Sequence, residues 1–352
     1  MSTRFLDATY EQQIRALTRT MEPRIRAAFL ASMRDIRSRA QMGVLRDALR
    51  DGDTQAAVDA LNLDPGAFTR INSLILETYG KAGVETITNG RWIYPNGQRA
   101  VVRFNGLSPR AEAWARDQST RLAVGLSSEA KAVARDLIAD GYALGRRTDR
   151  IALDLVGRIG ANGRRTGGVV GLDPQSAKWV GNLREYLETD PKRALGMKLN
   201  ERDKATLRRM IDAGKMPTTP QIDNLLRRYE NNLLMVRGRR IARTETVNAI
   251  EMGKYEAWKQ GLEKTGIPEQ FVIRKWVHTG HALRDRTEHI AMNGDEKRGL
   301  QIPHTMPDGA SLLHPHDTSF GAGPEHIVNC ECREDYTIDK AGLREWRVLM
   351  GL

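Results

Sequence analysis

The chain has 352 residues, with 55 Lys and Arg against 44 Asp and Glu, for a net charge of +11. That length predicts two or three domains with a real hydrophobic core. Two cysteines argue against a secreted disulfide scaffold, and the opening MSTRFLDATYEQQ has no apolar core for a signal peptide. No stretch reaches the length of a membrane span, so the expected setting is a cytoplasm or a particle assembled there. A basic excess of this size predicts residence near a polyanion, nucleic acid above all, without reading its sequence.

The N-terminal region reads as helix. Ile14, Leu17, Met21, Ile25, Phe29, Met33 and Ile36 recur at three- and four-residue spacing, with Pro23 expected to kink or divide the helix. Asp51-Gly52-Asp53 predicts a turn before a helix at 54–61. Asp64-Pro65 then opens a helix to about Tyr79. Residues 91–104, RWIYPNGQRAVVRF, predict a β-hairpin turning at Pro95-Asn96-Gly97.

Helical patterning resumes at Ser108-Pro109, with Ser127-Ser128-Glu129 expected to start a second helix after Gly125. Thr148-Asp149 and Asp173-Pro174 open two more. Between these lies GANGRRTGGVVGL, read as a solvated loop in which Arg164 and Arg165 are candidate phosphate contacts. No Gly-Lys-Ser/Thr follows it, so it is not a nucleotide-binding loop. Asn200 caps the next helix, Met216-Pro217-Thr218-Thr219-Pro220 is a linker, and a long helix begins at Thr219. After Gly238 a helix runs to about Lys264, with Arg239 and Arg240 as further phosphate candidates. Within it, Arg243 and Glu245 are too close in sequence to pair with each other, so each needs a separate partner.

Residues 271–277 predict a strand. Ile327-Val328 and Tyr336-Thr337-Ile338 are its expected partners, and 340–352 a terminal helix. The fold class is mainly α with a small α+β C-terminal module. The regions are 1–90 (helical), 91–216 (hairpin and helical middle) and 217–352 (long helices leading into the module).

All seven histidines fall between His278 and His326, and both cysteines follow as Cys330 and Cys332. The segment is rich in Gly, Pro and Asp and poor in large aliphatics, so it needs something other than a core to hold it. Imidazole and thiolate are ligands for zinc. The proposed structural zinc set is Cys330, Cys332, His289 and His278, with His326 as the substitute for either histidine. The competing reading makes the cysteines small buried hydrophobes and the histidines loop hydrogen-bonders. A disulfide between residues two apart would be strained.

Trp276, Arg284, Arg286, His289, Gly294, Pro315, Asp317, Asn329, Cys330 and Cys332 form a pattern of strand tryptophan, R-x-R-x-x-H, glycine, P-x-D and N-C-x-C. In this pattern the chain resembles the Mu F-like minor head proteins, the phage head morphogenesis family, and IARTET at 241–246 resembles the helix preceding the module there. The segment from Ile151 to Leu187 and the N-terminal helices also resemble products of tailed-phage and prophage head operons. Two positions depart from the family pattern: Ala282 stands where an acidic residue is frequent, and Glu331 where a basic one is.

The resemblance implies a capsid-interior protein at the portal vertex, made in the host cytoplasm and present in few copies. Its implied partners are the portal protein, the major capsid or scaffolding protein and packaged double-stranded DNA, with no membrane during assembly. Its implied roles are head morphogenesis, DNA packaging and genome ejection. The alternative is a metal-dependent nuclease or other hydrolase, with Asp285, Glu288, Asp317 and Glu325 near the histidines. The C-x-C pair and the lack of H-E-x-x-H or a nucleophile elbow favour a structural protein without enzymatic activity. A pH-sensitive release element built from the histidines is a third expectation.

Overall fold

The chain is 65% helical with a few short antiparallel strands, mainly α with a small β-containing C-terminal module. The computed structural model describes residues 8–160, 163–280 and 286–351. In the first half, α1 is Ala8–Arg39, α2 Met42–Asp51, α3 Thr54–Asp59, α4 Thr69–Asn89, α5 Pro109–Ala143 and α6 Thr148–Val156. A short hairpin, β1 (Arg158–Ile159) and β2 (Arg165–Thr166), precedes α7 (Pro174–Thr189), α8 (Pro191–Ala194), α9 (Glu201–Asp212) and α10 (Thr219–Thr265). The C-terminal module holds β3 (Val272–Val277), α11 (Thr287–Ala291), β4 (Glu296–Arg298), β5 (His304–Thr305), β6 (Ser311–Leu312), α12 (Pro324–Ile327), β7 (Arg333–Ile338) and α13 (Lys340–Leu349).

Capping follows the local chemistry. The carboxylates of Asp53, Asp64 and Asp173 and the Asn200 amide oxygen each accept a backbone N–H at a helix start. Three expected breaks are absent. Pro23 lies inside α1, where Met21, Ile25 and Phe29 on either side are fully buried, so packing outweighs the lost hydrogen bond. Gly125 and Ser127 lie inside α5. There Ser127 Oγ donates to the Leu63 carbonyl (2.6 Å) and Ser128 Oγ to the Gly125 carbonyl (3.0 Å), so neither hydroxyl caps a new helix. Gly238 is likewise internal to the 47-residue α10. The hairpin expected at 91–104 turns at Pro95-Asn96-Gly97 but is short: the Tyr94 N–H donates to the Gln98 carbonyl (2.8 Å) and the Ala100 N–H to the Trp92 carbonyl (2.9 Å), around an isolated bridge of Ile93 with Arg99. Ile327 ends the short α12 instead of forming a strand with Val328.

The chain forms two compact units whose boundaries differ from a consecutive partition at 90 and 216. One comprises Met1–Arg26, Arg70–Gln118 and Arg239–Leu352, the other Ala27–Thr69 and Ser119–Gly238. In the second unit, residues 167–172 are not a solvated loop: Val169, Val170 and Leu172 are fully buried. The buried Arg37 guanidinium donates to the carbonyls of Val170 (2.7 and 2.9 Å) and Gly168 (3.0 Å), and Glu230 accepts the Gly168 N–H at 2.7 Å. Burial lowers Arg37 to about 10 and raises Glu230.

The first unit has an aromatic core. Trp258 stacks on Tyr336 with ring centroids 5.3 Å apart and meets Trp92 edge-on at 5.1 Å. Gly261 makes room for Trp92, because a Cβ there would sit 2.1 Å from the indole. The sheet order is β4-β3-β7, all antiparallel, with Val272 opposite Ile338 and Val277 opposite Arg333. Alternation along β3 sends Val272, Arg274 and Trp276 into the interior.

Candidate metal centre

The β3–β7 register determines who meets whom at the end of the sheet. Val277 faces Arg333, so one step further the chain brings His278 beside Cys332. The His278 backbone N–H is held by the Asn293 side chain at 3.0 Å. His289 enters from α11 and is 2% exposed, with Trp276 edge-on against its ring at 5.8 Å. Cys330 and Cys332 arrive on the turn between α12 and β7, both buried. Asn329 makes that turn with a φ of 59°, in the left-handed region that asparagine tolerates better than most residues.

Around this point His289 Nδ1 lies 3.4 Å from Cys330 Sγ and 3.5 Å from Cys332 Sγ. His278 Nδ1 lies 3.5 Å from Cys332 Sγ. The ligand atoms of His289, Cys330 and Cys332 are all within 4.8 Å of one another. Zinc bonds of about 2.3 Å to sulfur and about 2.0 Å to nitrogen, at a tetrahedral angle, place N and S about 3.5 Å apart. The observed separations match that edge length. A void of about 10 Å³ is lined by His278, Thr279, Arg286, His289, Cys330, Glu331 and Cys332. Such a space suits a single ion or one water. The set of His289, Cys330 and Cys332 is compatible with zinc, which when bound would tie α11 to the cysteine turn; His278 approaches Cys332 but lies outside that set.

The two thiols divide their proton unequally. The hydrogen bond with Cys332, and then burial, raise Cys330; the same bond lowers Cys332 against its own desolvation. Cys332 is thus the readier thiolate. Neighbouring groups fix the turn: Arg286 donates to the Val328 carbonyl at 2.5 Å and Thr279 Oγ1 to the Glu331 carbonyl at 3.1 Å.

The other histidines have separate work. His326 lies outside the cluster of donor atoms formed by His289, Cys330 and Cys332: its Nε2 pairs with Asp308 at 2.9 Å and its ring stacks on His289 at 5.7 Å. His314 donates to the Pro315 carbonyl and His316 to the Cys330 carbonyl, each at 2.9 Å. His281, Ala282, Arg284 and Asp285 lie outside the described residues. Of the carboxylates weighed for hydrolysis, Asp317 accepts from the Leu313 and Ser319 backbones and the Ser319 hydroxyl, Glu325 is exposed, and Glu288 sits half-buried in the first turn of α11.

Arg243 and Glu245 do take different partners. Arg243 pairs with Glu331 at 2.9 Å, whereas Glu245 accepts from the Gln118 amide at 2.6 Å. The four phosphate candidates fall in different units. Arg164 is exposed and Arg165 half-buried, donating to the Gly157 carbonyl at 3.0 Å, while Arg239 and Arg240 are exposed on α10.

Sequence reasoning missed a buried ionic network under the sheet. Arg274 and Glu334, both 0% exposed, pair at 3.1 Å. Glu334 also contacts His304 Nε2 at 2.7 Å, and His304 Nδ1 meets Asp295 at 2.6 Å. Lys254 donates to Glu251 (2.9 Å) and to the Glu334 carbonyl (2.5 Å). Against its desolvation, hydrogen bonds from His304 and Lys297 hold Asp295 below the usual carboxylate range, while burial raises Glu251. The available signal was alternation: a strand with Val272 and Trp276 facing inward must bury Arg274 too. No helix among the described residues is long and apolar enough to cross a membrane. No protein-family model, no curated protein and no solved structure matches this chain.

Proposed function

We propose that the chain is a structural minor head protein of a tailed phage or prophage, Mu F-like in its C-terminal module. It sits inside the capsid at the portal vertex, bound to the portal protein and to the major capsid or scaffolding protein, and lies against packaged DNA. Zinc held by Cys330, Cys332, His289 and His278 staples the module, and the chain has no enzymatic activity of its own.

One observation carries this reading: six of the pattern residues lie together around one point. His289, Cys330 and Cys332 meet at one point, Trp276 abuts His289, Arg286 holds the Val328 carbonyl, and Asn329 turns the chain into the cysteines. A donor set with two thiolates and no carboxylate supports a closed structural site over a hydrolytic one, which more often combines His with carboxylate and keeps a position for water. The net charge of +11 and the exposed Arg239 and Arg240 support sequence-independent contact with phosphates.

The test uses the full chain. It should purify with about one zinc per molecule, form a complex with its operon's portal protein, and cut no DNA with zinc or magnesium present. DNA cleavage abolished by Cys330→Ser would replace this reading with the nuclease. Failure to bind the portal protein at low salt would remove the placement.

A further inference from the structure

The cysteine turn is gripped from outside the donor set, by two consecutive residues of α10. The Thr244 hydroxyl accepts the Asn329 backbone N–H at 3.1 Å, just before Cys330. The Arg243 guanidinium pairs at 2.9 Å with Glu331, the residue between the two cysteines. Thr244 is 9% exposed, and the side chains of Arg243 and Glu331 are 24% and 22% exposed, so solvent screens the pair only in part. Asn329 is also the residue in left-handed backbone, at a φ of 59°, that turns the chain into the cysteines. C-x-C gives a tight bite, and small changes at Asn329 or Glu331 would swing the sulfurs relative to each other.

We propose that Arg243 and Thr244 are positioning residues for the metal loop, holding Cys330 and Cys332 at the separation the ion requires, so that metal binding and the ordering of α10 around residue 243 are linked. The inference rests on the zinc reading above and adds two residues that ligand spacing does not reveal. Groups that orient a metal's ligands typically change affinity by about 10- to 100-fold when removed. By linkage, whatever favours the ion when α10 grips the loop must make the ion favour that grip by the same factor.

The experiment measures zinc affinity of the full chain by competition with a chromogenic chelator, with the cobalt(II) absorption spectrum reporting coordination. Arg243→Glu and Glu331→Arg should each weaken zinc on the order of 10-fold, and the double exchange should return to within about threefold of wild type. Thr244→Val should weaken it comparably, and Thr244→Ser, which keeps the hydroxyl, should not. In wild type, zinc should slow amide hydrogen exchange in 241–246, and in the Arg243→Glu chain much less so. Circular dichroism of each chain separates lost folding from lost affinity. Unchanged affinity in the folded single variants overturns the inference and leaves the zinc reading standing. A double exchange no better than the singles also overturns it, while a wild-type chain that binds neither zinc nor cobalt overturns both.

Discussion

Arg274 on β3 and Glu334 on β7 meet at 3.1 Å with neither side chain exposed. Arg274 also donates to the carbonyls of Gly299, Leu313 and Ile302, and Glu334 also contacts His304. Truncating one partner of a buried pair leaves the other charge uncompensated, at about 3–5 kcal/mol, whereas replacing both costs far less. Arg274→Met should therefore lower unfolding free energy by an amount in that range in urea titrations. Arg274→Met with Glu334→Leu should recover part of the loss. A single variant as stable as wild type would contradict this account of the sheet.

The metal centre gives a second expectation. Cys330→Ser and Cys332→Ser should each lose zinc and melt at a lower temperature. A chelator should bring the wild-type transition down toward theirs while leaving the variants unmoved. His326→Ala should keep its metal, because that ring lies outside the cluster of donor atoms from His289, Cys330 and Cys332. Metal analysis and calorimetry on the same preparations decide the matter.

One contribution to acid stability comes from Glu77. Hydrogen bonds from Arg24 and then Lys81 lower Glu77 from 4.5 to about 2. A depressed carboxylate stabilises the fold above its unfolded value, and that contribution is lost as pH falls through the folded value. The stability gap between wild type and Glu77→Gln should be level above about pH 5 and close between 4.5 and about 2. Because the Arg24 and Glu77 side chains are 44% and 33% exposed, solvent screens the pair, so the gap should be small and should shrink with salt.

Arg239 and Arg240 are exposed on α10. Replacing both by Ala should weaken binding to double-stranded DNA equally for unrelated sequences. It should also reduce the slope of log affinity against log salt by about 0.9 for each phosphate no longer neutralised. Fluorescence anisotropy across a salt series checks this, and an unchanged slope would remove these two residues from the interface.

Gly261→Ala would drive a Cβ to within 2.1 Å of the Trp92 ring. Overpacking of this kind costs about 1–3 kcal/mol, and the altered Trp92 environment should also appear in near-ultraviolet dichroism.

What the sequence disclosed, and what it withheld, divides along physical lines. Helix starts were legible where Asp or Asn caps, because that chemistry is local. Helix interruptions were legible only in part, as at Gly52. Pro23, Gly125 and Gly238 carry the marks of breaks, yet each lies within a continuous helix with buried residues on either side. Burial of 167–172 depends on Arg37, more than a hundred residues away in the chain, which no local pattern could announce. The donor cluster was readable from residue type alone, since His and Cys concentrate in one segment. That His326 stands outside it required the fold. The partner of Arg243 was out of reach for the same reason: Glu331 comes near only once β3 and β7 are paired.

Asn329 has one further consequence. Its φ of 59° and its N–H bond to Thr244 mean that the letter before the first cysteine answers a demand of the main chain and donates nothing to an ion. Glycine could stand there, a β-branched residue would be strained, and proline would lose both the dihedral and the donor. A search for distant kin should therefore accept N or G at that place, and should treat a V, I or P ahead of an otherwise matching C-x-C as a different loop.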